Sequence, residues 1–164
     1  PRMFRMQVGD CISIRPRAKG LFTMNQNVHH HYMLSTVTGV APTVSILRDY
    51  LHRGGEGHKF YALMGASYYD EFAYDEELAG LAATHPDFIT FVPTVSRPNE
   101  ERNASWTGAK GRVNVIAEEY LRQFDLPMDD TMIYACGHPG MIEDVKEKFV
   151  SKGWKFKEER FWKQ

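Results

Sequence analysis

The sequence predicts an α/β domain built on an open, mostly parallel five-stranded sheet flanked by helices. Short apolar runs alternate with segments of helical spacing along most of the chain, the pattern of strands joined by crossover helices. Two of these runs end in small residues and precede a helix-like pattern. They are Ser35-Thr36-Val37-Thr38-Gly39-Val40-Ala41-Pro42 and, more than ninety residues on, Tyr134-Ala135-Cys136-Gly137-His138-Pro139-Gly140-Met141. Strand ends of this kind face the ligand crevice of a parallel sheet.

The elements follow in order. Val8-Gly9-Asp10 reads as a turn, and Cys11-Ile12-Ser13-Ile14 alternates like a short strand before Pro16, Lys19 and Gly20 interrupt it. His31 to Thr36 forms the first strand of the main domain. Pro42 sits at the following helix start, where its missing N–H costs little, and Ile46, Leu47, Tyr50 and Leu51 have helical spacing. Gly54, Gly55 and Gly57 end that helix. Phe60 to Met64 is the next strand, Glu76 to Ala83 a helix and Phe88 to Val92 a third strand. Residues 96–110 are polar and turn-rich, which predicts a long surface loop. Val113, Ile116, Tyr120, Leu121 and Phe124 mark another helix, Thr131 to Ala135 a strand, and Pro139 opens a helix carrying Ile142, Val145 and Phe149. Phe156 to Trp162 supplies a last strand or an ordered terminus.

The 164 residues suffice for one domain with a sizeable core, 43% of them apolar. With 20 basic and 21 acidic side chains and a formal net charge of -1, no broad field favours nucleic acid or an anionic membrane. No apolar run approaches the roughly 18 residues of a membrane span. Cys11 and Cys136 make no disulfide framework, so a reducing, cytoplasmic location is expected. His29, His30 and His31 are the only histidine cluster. Adjacent strand side chains alternate faces, which favours a polar strand start over a metal site.

Thr36, Thr38 and Gly39 offer hydroxyls, a permissive backbone position and amides at a helix start, the means of holding a pyrophosphate; an ordinary Thr-capped turn would read the same way. Neither G-x-G-x-x-G nor a P-loop is present. Cys136 taken alone fits a small buried strand residue, and His138 a loop residue rather than an acid or base.

The ordered set Thr36 to Pro42, Ser96-Arg97-Pro98, Trp106-Thr107-Gly108, Gly111-Arg112-Val113, Tyr134 to Met141 and Glu159-Arg160-Phe161-Trp162 resembles the nucleotide-binding half of ferredoxin–NADP reductase-like flavoproteins. The resemblance runs from Gly9 to Trp162. It implies that Thr38 lies close to the nicotinamide, with Gly39, Val40 and Pro42 shaping the helix start. The family often carries Gly where this chain has Val37, and a branched Cβ tolerates positive φ poorly. That departure puts the turn geometry in question. Cys136 is expected beside the reacting nicotinamide carbon, with Gly137, His138, Pro139 and Met141 around it and without a covalent intermediate. Glu159 resembles a carboxylate that assists nicotinamide or proton handling, and Trp162 the aromatic that stacks on the flavin.

Ser96 and Arg97 resemble the family's pair for a 2′-phosphate, with Arg102 or Arg112 as a second cation and Thr107 among the cofactor contacts. NADP is therefore the expected nucleotide, while Asn99-Glu100-Glu101 keeps NAD open. The family's antiparallel FAD-binding barrel carries an Arg-x-Tyr-Ser/Thr segment that does not occur here. Residues 1–26 are expected to be closing strands of a truncated barrel or an N-terminal extension, and 27–164 the NAD(P)-binding domain. The intact protein would pass hydride between NADPH and FAD. Ferredoxin, flavodoxin or another iron-sulfur acceptor would exchange electrons through the absent domain. An NADH-dependent oxygenase reductase component and a non-catalytic nucleotide-binding regulatory module are the alternatives.

Overall fold

A computed structural model describes residues 5–14, 16 and 20–160 of the chain. Strands β1 (His30–Thr36), β2 (Lys59–Ala66), β3 (Ile89–Val95), β4 (Ala109–Lys110), β5 (Thr131–Cys136) and β6 (Lys155–Glu159) form one sheet in the order β4-β3-β2-β1-β5-β6. Every pairing is parallel. Helices α1 (Ala41–His52), α2 (Asp75–Thr84), α3 (Val113–Gln123) and α4 (Pro139–Val150) connect the strands. The chain turns outward from β1 in both directions, to β2 on one side and β5 on the other. The switch point of the topology is therefore the β1/β5 boundary.

The central strands are buried on both faces, and their period of two sorts the core into two layers. Tyr32, Leu34, Leu63, Ile133 and Ala135 pack against Val113, Ile116, Ala117, Ile142, Val145 and Phe149 of α3 and α4. Met33, Phe60, Met64, Met132 and Tyr134 point the other way, onto Val44, Leu47, Tyr50 and Leu78 of α1 and α2.

Two expectations are corrected. The sheet has six strands rather than five, because Ala109–Lys110 leaves the 96–110 loop to pair with Thr94 and Val95. Two residues are too few to display a strand period. Its place is set by one local and one tertiary contact instead: the Trp106 indole N–H donates to the Ala109 carbonyl at 2.8 Å, and the ring packs 5.4 Å from Phe72. Cys11–Ile14 forms no strand and has no ladder partner among the described residues. Alternation alone does not make a strand when no neighbouring edge satisfies its backbone. The turn at Val8–Gly9 is present, with Gly9 at φ 104°.

The histidine cluster lies at the N-terminal edge of the sheet. His29 Nδ1 is 3.0 Å from Asp130 Oδ1 at the surface. His31 is fully buried, stacked 4.8 Å from Phe60, with Nδ1 3.2 Å from the Tyr134 hydroxyl and Nε2 3.0 Å from His58 Nδ1. Among the described residues no group of histidine, cysteine or carboxylate side chains has the arrangement of a metal site. A neutral His31 satisfies both contacts, accepting from Tyr134 and donating to His58. Burial, then the neighbouring His58, pushes its pKa down to about 3.

This sets a direction for stability. Below pH 6.5 the unfolded chain protonates His31, while the folded chain refuses the proton until about pH 3. The contribution is complete above pH 6.5 and is lost progressively toward pH 3. Denaturant unfolding at pH 7.5 and 4.5 should show a loss on the order of 2 kcal/mol in the wild type, and His31→Gln should remove most of that difference.

Candidate functional site

At the switch point the ends of β1 and β5 are locked together. The backbone N–H of His138 donates to Thr36 Oγ1 at 2.8 Å. Gly137 holds φ 136°, and a Cβ there would lie 2.1 Å from Thr36 Oγ1. Gly39, in the 3-10 turn Val37–Val40, sits so near that a Cβ would come 2.3 Å from the Cys136 carbonyl oxygen. Only glycine fits either position: backbone fills the space at Gly39, and at Gly137 the positive φ adds to the Thr36 hydroxyl and to the Thr36 backbone N at 2.9 Å behind it. Val37 begins the turn at φ 46°. A branched residue thus holds a left-handed conformation that costs roughly 1–2 kcal/mol, beside the site.

A cavity of about 500 Å³ opens above this junction. Its walls come from the C-terminal ends of three strands and the starts of two helices. Thr36 ends β1 and Val37 follows it, Gly65 and Ala66 end β2 with Ser67 next, and Ser96 and Arg97 follow β3. Arg112, Val113 and Asn114 start α3, and His138, Gly140 and Met141 start α4. Gly65 lets α3 come close, since a Cβ there would meet Val113 Cβ at 3.0 Å. Thr94, fully buried, donates to the Gly111 carbonyl at 2.8 Å and fixes the approach to α3.

The two helix starts differ. At α4 the Gly140 N–H donates to His138 Nδ1 at 3.1 Å, so His138 serves as the N-cap. At α3 no side chain caps the first turn, and Arg112 stands at its N-cap position on the cavity wall. First-turn amides without intrahelical partners, together with a neighbouring cation, suit an anionic group.

Of the residues singled out from sequence, Thr36, Ser96, Arg97, Arg112, His138 and Met141 meet at the cavity. Thr38 is exposed on the 3-10 turn, Val40 is buried at its end, Pro139 is buried in the first turn of α4, and Pro42 occupies the first turn of α1. Thr107 is exposed in the loop before β4. Cys136 is buried at the end of β5, paired in register with Glu159 of β6. Burial, then the Glu159 carboxylate, pushes its thiol up to about 12, so it stays protonated and is no nucleophile at neutral pH. Trp162 lies outside the described residues.

Arg97 and Arg102 flank one ring, Tyr68, which no motif in the sequence marks. Their guanidinium carbons are 5.5 and 4.1 Å from its centroid. Arg102 also donates twice to Asp70 Oδ2, at 3.0 and 2.9 Å, and this bond is the leading cause that raises its pKa. Asn103, buried, ties the loop after β2 to the loop after β3. It donates to the carbonyls of Ser67 and Arg97, each at 2.9 Å, and accepts from Tyr69 N–H at 3.0 Å. No motif announces it either; only a buried asparagine with all these partners reveals the role.

Two outcomes are expected. Gly137→Ala should cost about 2 kcal/mol or more in denaturant unfolding, whereas Val37→Gly should leave stability unchanged or raise it by up to about 1 kcal/mol. At pH 7.5, iodoacetamide should label exposed Cys11 rapidly and leave Cys136 unmodified until the chain is unfolded.

Residues 33–147 match the family described as the oxidoreductase NAD-binding domain. The chain is 40% identical over 104 residues to a component of the Na(+)-translocating NADH-quinone reductase of Klebsiella pneumoniae, covering 63% of this chain and 25% of that protein. It is 34% identical over 122 residues to a root isozyme of chloroplastic ferredoxin–NADP reductase of Arabidopsis thaliana, covering 71% and 31%. With NADH-cytochrome b5 reductase 1 of Candida glabrata it shares 26% identity over 151 residues, covering 91% and 50%. The chain therefore spans a quarter to a half of these relatives. In fold it resembles the CS-b5R domains of human Ncb5or, with a TM-score of 0.72 at 19% identity, covering 96% of this chain and 44% of that one. The sheet order, the crevice at its switch point and these matches together place the chain in the oxidoreductase NAD-binding domain family, as a Rossmann-like NAD(P)-binding domain related to the ferredoxin–NADP reductases.

Proposed function

We propose that this domain binds a nicotinamide dinucleotide in the switch-point cavity and presents its nicotinamide to a flavin held elsewhere in a larger oxidoreductase. The junction at Thr36, Gly39 and Gly137 carries the reading. It brings two chain segments to backbone contact at the floor of a crevice, where two buried glycines let the strand ends close up and so fix Thr36, Val37 and His138 on the cavity wall. The residues fit such a ligand. The uncapped start of α3 with Arg112 suits the pyrophosphate, and the Thr36 hydroxyl, already accepting from His138, keeps its own proton to donate.

Bound nicotinamide supplies the hydride. The protein's part is to align and to exclude side reactions rather than to exchange protons. Cys136, protonated and buried beside Glu159, acts by shape and packing. Thr38, Glu159 and Trp162 keep the roles that the resemblance implies: Thr38 near the nicotinamide, Glu159 in its handling, Trp162 against the flavin.

The relatives are named for different acceptors, among them quinone, cytochrome b5 and ferredoxin. What they share with this chain is the nicotinamide-binding module, so the acceptor is chosen by other parts of the protein. A ferredoxin or flavodoxin reductase, an oxygenase reductase component and a regulatory nucleotide-binding module all contain the same step or its binding half.

The chain itself allows the test. Isothermal titration with NADH, NADPH and their oxidised forms should show saturable binding at or below millimolar concentration. Arg112→Ala should weaken every form by about tenfold. No binding of any form at millimolar concentration refutes the assignment of the cavity.

A further inference from the structure

We propose that Glu100 makes this site select a dinucleotide with a free 2′-hydroxyl on its adenosine ribose over one bearing a 2′-phosphate. The inference rests on the nucleotide reading of the cavity and departs from the NADP expectation that Ser96 and Arg97 raise in the sequence.

Ser96 and Arg97 do stand at the cavity wall. The Arg97 guanidinium, however, is already engaged through one nitrogen. Nη1 donates to the Tyr68 hydroxyl at 3.0 Å and lies 3.4 Å from Glu100 Oε1, while the Tyr68 hydroxyl donates to Glu100 Oε2. The Glu100 carboxylate thus takes the place beside Arg97 and Tyr68 that an incoming dianion would need. Its backbone is pinned as well: Glu100 N–H donates to the Arg97 carbonyl at 3.2 Å, and Asn103 N–H to the Glu100 carbonyl at 2.9 Å.

Of the two candidates for a second cation, Arg112 stands at the start of α3, where it suits the pyrophosphate, and Arg102 is no freer than Arg97. Arg102 is held by Asp70 and lies 3.6 Å from Glu71. Glu101 adds a further carboxylate next in sequence to Glu100. On this rim, carboxylates outnumber the two guanidinium groups.

A 2′-phosphate must therefore displace Glu100 from Arg97 and Tyr68 and then remain beside it, like charge against like charge. A ribose hydroxyl meets the opposite situation. It is neutral, and a carboxylate with lone pairs to spare accepts its proton. One side chain thus rejects the phosphorylated nucleotide and offers a partner to the other.

The test titrates AMP and 2′-phospho-AMP into the full chain at low ionic strength, comparing wild type, Glu100→Gln and Glu101→Gln. Wild type should bind AMP at least as tightly as 2′-phospho-AMP. Glu100→Gln should strengthen 2′-phospho-AMP about tenfold and change AMP less than about threefold, and Glu101→Gln should move the ratio much less. A wild-type preference for 2′-phospho-AMP overturns the proposal. So does a Glu100→Gln variant that leaves the ratio unchanged, or a Glu101→Gln variant with an equal effect. If wild type binds neither AMP, 2′-phospho-AMP nor any intact dinucleotide, the cavity assignment fails first, and the selectivity proposal falls with it. Dinucleotide binding with an unchanged ratio refutes Glu100 alone.

Discussion

The hydrogen bond from His138 N–H to Thr36 Oγ1, enclosed by Gly137 and Gly39, is the constraint on which the site depends. It joins the ends of two neighbouring parallel strands whose chains then depart into helices on different sides of the sheet. Parallel strands leave a crevice at such a divergence. Here the two departing segments are drawn to backbone contact before they separate, so the floor is closed and the opening begins above it. A side chain at either glycine would push the 3-10 turn off the β5 end and spoil the floor. The fully buried centre of β1, with both faces packed, transmits that position to the rest of the molecule.

Around this floor the structure divides its polar labour. The start of α4 satisfies itself through His138, and the start of α3 stays uncapped beside Arg112. The outer rim is different in kind. Its cations are bound into a network with Tyr68, Asp70 and Glu100, held in place by the buried Asn103. An arginine at a rim is therefore not by itself a phosphate receptor. What matters is which acceptor holds it when the nucleotide arrives.

The fold was legible because strand and helix periods are local. The α1 to α4 faces and the strands β1, β2, β3 and β5 follow from residues a few positions apart. β4 was not legible: two residues carry no period, and their pairing depends on Trp106 and on the β3 edge. The apparent strand Cys11–Ile14 failed for the complementary reason, a period without an edge to bind it. Val37 was legible as a departure but not in its outcome. The turn keeps φ 46° despite the branched side chain, because the Gly39 and Gly137 contacts on either side leave the chain no other course.

By itself the sequence determined the α/β class, the order of its elements, the two glycine-bearing strand ends and the residue types that suit a dinucleotide. These are properties of spacing and of intrinsic backbone freedom, which need no knowledge of partners. Tertiary structure alone decided that Cys136 pairs in register with Glu159, which with burial holds its thiol protonated, that His138 caps a helix, and that Arg97 and Arg102 are already claimed by Tyr68 and carboxylates. Burial, capping and charge pairing are relations between groups that the chain brings together only when it folds. Arg102 and Asp70, for example, stand 32 residues apart in sequence.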